Sequence, residues 1–291
     1  MVYTLIRKFH INLDEFLENV KNYYPYHSFK ESNYLVYKKK FQTKVSKLIN
    51  KKIIKFLYNN RIIKIPNISF GNINTLNLFE YDEIILFLFY KANKWKYVNA
   101  IDIGANIGLH SIILSSLNFK VKSFEPDPKT FLNLKKIIKL NNCNNVKINK
   151  RAISEKDKTV VFNRIINNLT GSHISGSKDY LYGPVEQFNV KAETLNKHLD
   201  NKKTIIKIDA EGQEAKIINS INKKFLKNVD IICEINNKKN AILINSFCKK
   251  MKLKMYTQKI NWKMCKKINE LPVSYKEGSV FISYENKPFG L

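Results

Sequence analysis

Arginine is almost missing from a chain otherwise crowded with positive charge. Of 51 basic residues only Arg7, Arg61, Arg151 and Arg164 carry a guanidinium. Phosphate and base-edge recognition favours that planar, bidentate group over the lysine ammonium. The formal net charge of +27 therefore reads as a solvated, lysine-rich surface from a genome that favours Lys, Ile and Asn, and only weakly as a nucleic-acid footprint. Long apolar runs are missing too. The best, "IILFLFY" from Ile84 to Tyr90, has 7 residues against the roughly 18 that a membrane-spanning helix needs. The N-terminal stretch "MVYTLIRKFHINLDEFLENV" is interrupted by Arg7, Lys8 and His10 and has no small-residue cleavage site, so a secretory signal is not expected and the cytoplasm is. Cysteine is scarce. Cys143, Cys233, Cys248 and Cys265 show no C-x-x-C and no Cys/His spacing of a zinc site, which predicts reduced thiols.

What is present divides the chain in two. Residues 1–78 contain no glycine before Gly71 and carry apolar residues at helical spacing in "NLDEFLENV" and in "FQTKVSKLINKKIIKFL" (41–57), which predicts a mainly helical extension. An extended piece follows at "RIIKIPNISFG", punctuated by Pro66 and Gly71. The tyrosine-rich "NYYPYHSF" (22–29) is expected to pack between extension and core. Residues 79–291 form the second region. A helix over 78–91 leads into the strands "AIDI", "VKSF", "VKIN", "TIIKI" and "VDIICEI", alternating with helices near 107–117, 129–140, 213–221 and 238–250. Strands so uniformly apolar predict an α/β fold with a doubly wound, mostly parallel sheet. The long stretch 159–195 reads as an active-site loop, and "LPVSYKEGSVFISY" as an antiparallel hairpin at the sheet edge.

Ligands of such sheets bind beyond the carboxyl ends of the strands, so the turn after "AIDI" is the first place to look. A dinucleotide fingerprint needs glycine at its first, third and sixth positions. Gly104 supplies the first, but Asn106 and Leu109 occupy the others, and a side chain stands where a pyrophosphate would lie. Asp102, Gly104 and Gly108 instead follow D-x-G-x-x-x-G. That spacing suits a cofactor without phosphates, S-adenosylmethionine, with Gly104 at the turn, Asn106 as a polar contact and Asp102 near the ammonium of the amino-acid tail. Glu125 ends the next strand, where a carboxylate can hold both hydroxyls of a ribose.

Together "IDIGANIGLHSI", "FEPDPKTFLNLKKIIKLN", "NKRAISEKD" and "IIKIDAEGQEAKII" resemble the FkbM-type methyltransferases over about residues 79–234. The resemblance implies a Rossmann-like class I methyltransferase that O-methylates a sugar, glycan or related metabolite. It also implies that Gly104, Asn106 and Gly108 run along the cofactor, Glu125 meets the ribose, Ala152 lies near the adenine and Asp127 contacts the adenosine.

Chemistry is expected at the fourth strand. In "TIIKIDAEGQEAKII" Lys207 and Asp209 share one side of the strand, and Glu211 follows in the turn. An alkyl hydroxyl is a poor nucleophile that benefits from a positioned base. Asp209 or Glu211 is the expected base with Lys207 tuning it, and His173 is a second candidate. Glu214 reads as a carboxylate complementing the next helix N-terminus. The favoured reading has no metal; the alternative is Mg²⁺ held by Asp209, Glu234 and Asn236. Two other functions compete with the glycan reading: an RNA 2′-O-methyltransferase, and a catalytically silent module that docks a partner through its extension.

Overall fold

The computed structural model describes residues 9–21, 27–70, 73–166, 168–178 and 183–290. Tyr23, Tyr24 and Tyr26 of the tyrosine-rich run, and the punctuating Gly71, lie outside them. A short strand β1 (Ile11–Asn12) leads into helix α1 (Leu13–Lys21), and helix α2 (Ser32–Ser46) follows. The helix expected over 41–57 ends at Ser46. Ile53–Tyr58 forms strand β2, which turns back into β3 (Arg61–Pro66). Asn59 and Asn60 both adopt positive φ, +47° and +58°, as a two-residue hairpin turn requires. Alternating burial of Ile54, Phe56 and Tyr58 then fixes the strand, so period two overrides the helical spacing. β1 pairs with β2 to complete a three-stranded sheet, and β4 (Ser69–Phe70) with β5 (Ile73–Asn74) makes a small antiparallel pair.

This N-terminal part is packed onto the rest. Asp14 accepts a 2.7 Å bond from Lys91 Nζ, and Asn59 Nδ2 donates to the Ser116 carbonyl at 2.6 Å. One apolar cluster runs from Phe16, Phe41 and Phe56 into α3 (Tyr81–Asn93) and beyond.

The α/β unit runs β6 (Asn99–Ile103), α4 (Leu109–Ser116), β7 (Lys120–Phe124), α5 (Pro128–Leu140) and β8 (Val146–Asn149). After an inserted sheet of β9 (Ala152–Ser154), β10 (Lys158–Ile165), β11 (His173–Ile174) and β12 (Val185–Thr194), it resumes with β13 (Thr204–Ile208), α6 (Glu214–Asn219), β14 (Val229–Glu234) and α7 (Lys238–Met251). β15 (Lys254–Thr257), β16 (Lys263–Met264) and β17 (Ser279–Ser283) complete the main sheet, in the order β16-β15-β17-β14-β13-β6-β7-β8. The five strands from β14 to β8 are parallel, as the apolar runs predict. Ala100 and Ile205 join the core under α3 and α4, whereas Ile101, Ile103, Ile206 and Ile208 join a second core with α6 and α7. The sheet is thus covered on both faces.

Two local expectations fail. No hairpin forms in 271–284. Only Ser279–Ser283 is a strand, and it slots antiparallel between β14 and β15, while the preceding residues make tight turns. Nor is 159–195 a loop: β10 and β12 pair antiparallel from Lys158–Ala192 to Ile165–Val185, and the irregular part is confined to their connection. Among the described residues no helix is long and apolar enough to cross a membrane.

Candidate active site

Two strand ends build the site. After β6 the chain turns through Gly104 (φ +75°) and Asn106 (φ +50°). The backbone N–H groups of Gly104 and Ala105 donate to the Phe124 carbonyl at 3.1 and 2.9 Å, tying the turn to the end of β7. The Asp209 carbonyl, just beyond β13, fills the space a β-carbon on Gly104 would need. Glycine is required here by strand-to-strand approach as well as by φ. Gly108 (φ +95°) opens α4, where a β-carbon would press on Leu134. Its role is helix packing, and it is not among the residues that line the cleft beside the turn.

That cleft, about 650 Å³, is lined by Glu125, by the apolar Ala152, Ile153, Phe162 and Ile174, and by the polar Arg151, Ser172 and His173. Glu125 is buried, and both its oxygens are engaged: Oε2 accepts from Asn106 N and Oε1 from Asp127 N, each at 2.9 Å. Burial pushes its pKa up to about 8 despite these donors. Each oxygen keeps a second lone pair for a further donor. A carboxyl beside apolar lining suits a nucleoside, since the carboxyl can accept from a ribose diol and the apolar residues can flank a flat base. The residues present therefore fit the adenosine of S-adenosylmethionine.

Asp127 lines the same cleft but has other duties. It caps α5 by accepting from Lys129 N and Thr130 N at 2.7 and 3.1 Å, with Pro128 beginning the helix. It also takes a bidentate pair from Arg164, Nε at 2.5 Å and Nη2 at 2.9 Å. Its carboxylate organises the wall rather than standing free for adenosine. Arg164 stacks on Phe188 and reaches Glu186 at 2.6 Å, so it pins the inserted sheet to the core. Sequence reasoning missed this residue, although arginine's scarcity was a signal: one of four survives where a bidentate fork is needed.

Asp102 departs further from expectation. It is fully buried at mid-strand, its Oδ2 accepting from Ser111 Oγ at 2.6 Å while Ser111 also pairs with Ser123 at 2.7 Å. It joins β6 to α4 beneath the turn and lines neither cleft, while its buried Oδ1 takes no hydrogen bond among the described residues. His173 is likewise displaced from its expected role as base. Nδ1 lies 2.9 Å from the Gly171 carbonyl, so it carries the proton, and Nε2 lies 3.4 Å from Asn163 Nδ2. Burial lowers its pKa. It is a wall of the nucleoside cleft.

A second, larger cleft of about 1800 Å³ shares Gly104, Asn106, Asp209 and Glu211 with the first. It brings Lys207, Asp209, Glu211 and Glu234 together. Lys207 Nζ donates to Asp209 Oδ2 at 3.2 Å. Burial would lower the Lys207 pKa, but Asp209, Asp102 and Glu83 hold it above its usual value. Glu211 sits at positive φ (+50°), is paired with Lys178, and is pushed up to about 7 by burial and then by Asp209. Glu234 is raised well above the usual range by burial, Asp209 and Glu211. Glu214 is structural. It accepts from Ala210 N and Gly212 N at 3.0 Å and from Asn240 Nδ2 at 2.8 Å, holding the turn that presents Glu211.

The metal alternative is not assembled. Asp209 and Glu234 share the larger cleft, but among the described residues no three His, Cys, Asp or Glu side chains come together as a metal-holding group. Asn236 is absent from that lining and instead accepts from Asn237. The four cysteines are unpaired thiols. Sequence reasoning also passed over Glu83 and His110, which line the larger cleft 2.5 Å apart. Their separation along the chain left no local motif.

The sequence pattern described as the methyltransferase FkbM domain matches residues 102–255, more than half of the chain. No curated protein matches the sequence. Among solved structures, methyltransferase FkbM from Methylobacillus flagellatus KT is 12% identical with a TM-score of 0.40, over 64% of this chain and 44% of that one. This chain thus spans less than half of that protein's length. The ribosomal protein L11 methylase of Lactobacillus delbrueckii subsp. bulgaricus is 12% identical (TM-score 0.39, 71% of this chain, 79% of that one). The precorrin-6y C5,15-methyltransferase of Geobacter metallireducens GS-15 is also 12% identical (TM-score 0.36, 66% and 82%).

Proposed function

The chain belongs to the FkbM methyltransferase family, and from that premise we propose that it is an S-adenosylmethionine-dependent O-methyltransferase acting on a hydroxyl of a sugar, glycan or related small metabolite. When bound, the cofactor supplies an electrophilic methyl group on a sulfonium. The protein's own residues do the rest. Glu125 takes the ribose hydroxyls, Ala152, Ile153 and Phe162 flank the base, and the Gly104–Asn106 turn passes along the cofactor. Glu211 accepts the proton as the acceptor oxygen is methylated, with Asp209 and Lys207 setting its surroundings. A carboxyl poised near 7 is matched to that task at neutral pH.

The observation that carries the choice of acceptor is the sign of the larger cleft. In a chain of net charge +27, this cleft gathers Glu80, Asp82, Glu83, Asp209, Glu211 and Glu234 against Lys38, Lys207 and Lys276. Glu234 is raised well above its usual range and Glu211 is paired with Lys178, so the cleft offers no net positive charge to hold a phosphate backbone, whereas a neutral polyol would find hydrogen-bond acceptors. The RNA reading loses its electrostatic support at the place where it needs it. Transfer of labelled methyl from S-adenosylmethionine to a panel of neutral monosaccharides and oligosaccharides, beside short RNAs, tests the proposal. Salt-insensitive labelling of a sugar supports it. Labelling of RNA alone, falling steeply with salt, would replace it with the RNA reading.

A further inference from the structure

S-adenosylmethionine ends in an amino acid, an ammonium and a carboxylate on one carbon, and Asp102, the partner expected for the ammonium, lines neither cleft. The larger cleft offers another. Glu83, in the first turn of α3, and His110, in the first turn of α4, line it beside Gly104, Asn106 and Lys207. His110 Nε2 lies 2.5 Å from Glu83 Oε2, and its Nδ1 lies 3.1 Å from the Tyr90 hydroxyl. Nε2–H donating to Glu83 leaves Nδ1 to accept from Tyr90. The imidazole is buried, with Phe87 and Tyr90 edge-on at 5.4 and 5.8 Å. One oxygen of Glu83 is therefore fixed by a rigid chain, and among the described residues Oε1 takes no hydrogen bond.

Lys207 supplies the opposite charge in the same recess. Burial alone would drive both groups toward neutrality, yet Glu83 is held below its usual range by His110 and Lys207, and Lys207 above its own by Asp209, Asp102 and Glu83. A fixed anion and a fixed cation side by side are the complement of a zwitterion. The other carboxyls suit an ammonium less well. Asp209 is held by Lys207, Glu211 is paired with Lys178, and Glu234 is raised well above its usual range by burial and by Asp209 and Glu211.

We propose that Glu83, oriented by His110 and Tyr90, binds the ammonium of the cofactor's amino-acid tail, with Lys207 facing the tail's carboxylate. The assignment rests on the cofactor reading above. It replaces Asp102 in that role.

Calorimetric titration with S-adenosylhomocysteine and with 5′-methylthioadenosine, which lacks the amino-acid tail, tests it without any acceptor. Glu83→Gln keeps an oxygen for His110 Nε2–H, and Glu83→Asp keeps the charge. Glu83→Gln is expected to weaken S-adenosylhomocysteine by about tenfold or more while leaving 5′-methylthioadenosine within about twofold, and Glu83→Asp to retain part of the lost affinity. Unchanged S-adenosylhomocysteine affinity in Glu83→Gln would overturn the proposal. Equal loss of both ligands would do so too, by placing Glu83 in the fold rather than at the tail. A wild-type chain that bound neither ligand would instead sink the cofactor reading beneath it.

Discussion

The carbonyl oxygen of Asp209 stands where a β-carbon on Gly104 would have to go. The two clefts therefore meet at a point where two parallel strands come as close as backbone allows. Gly104→Ala must push β6 away from β13 and also strain a residue at φ +75°. A loss of about 2 kcal/mol or more is expected, read as a lower unfolding temperature together with weaker S-adenosylhomocysteine binding. Native stability with native affinity would show that the approach tolerates a side chain.

Glu125 predicts how stability moves with pH. Its folded pKa of about 8 lies above the ordinary 4.5, so the fold favours its protonated form. The stability it contributes is full below about 4.5 and is lost as pH rises through about 8. Glu125→Gln cannot ionise. Its melting temperature relative to wild type should rise between about pH 5 and pH 8, and a constant difference across that range would contradict the assignment.

Glu211 as base gives a rate profile with a definite sign. Only the ionised carboxylate accepts a proton, so kcat/KM for a sugar acceptor should climb with pH through an apparent value of about 7. Glu211→Gln should remove that limb and cost about a hundredfold or more. A profile that kept its limb in the variant would move the role to Asp209.

The pair between Arg164 and Asp127 should show as a coupling. Both side chains are buried, 5% and 2% exposed. Arg164→Met leaves Asp127 buried without its counter-charge, at a cost of about 3–5 kcal/mol. Adding Asp127→Asn should recover part of that loss in thermal unfolding. Additive losses in the double variant would mean that the two residues act independently.

What the sequence made legible was whatever repeats locally. The apolar runs revealed the parallel strands, and Gly104 and Glu125 stand out because turn and strand end lie in one short segment. Asp102 was misread because one of its oxygens is taken by Ser111, which also meets Ser123 on the next strand, an arrangement visible only once α4 packs on the sheet. The link between Glu83 and His110 joins the first turns of two helices, and no periodicity couples them. The edge was misread for a similar reason: Ser279–Ser283 pairs with β14 and β15, not with its neighbour in sequence.

The most direct test of the account is titration of the 291-residue chain with S-adenosylhomocysteine, with NAD as comparator and Glu125→Ala as control. Binding of S-adenosylhomocysteine, no binding of NAD, and loss of the first in the variant are the expected results. Failure of S-adenosylhomocysteine to bind, or undiminished binding by Glu125→Ala, would contradict the claim that the Glu125 cleft holds the cofactor.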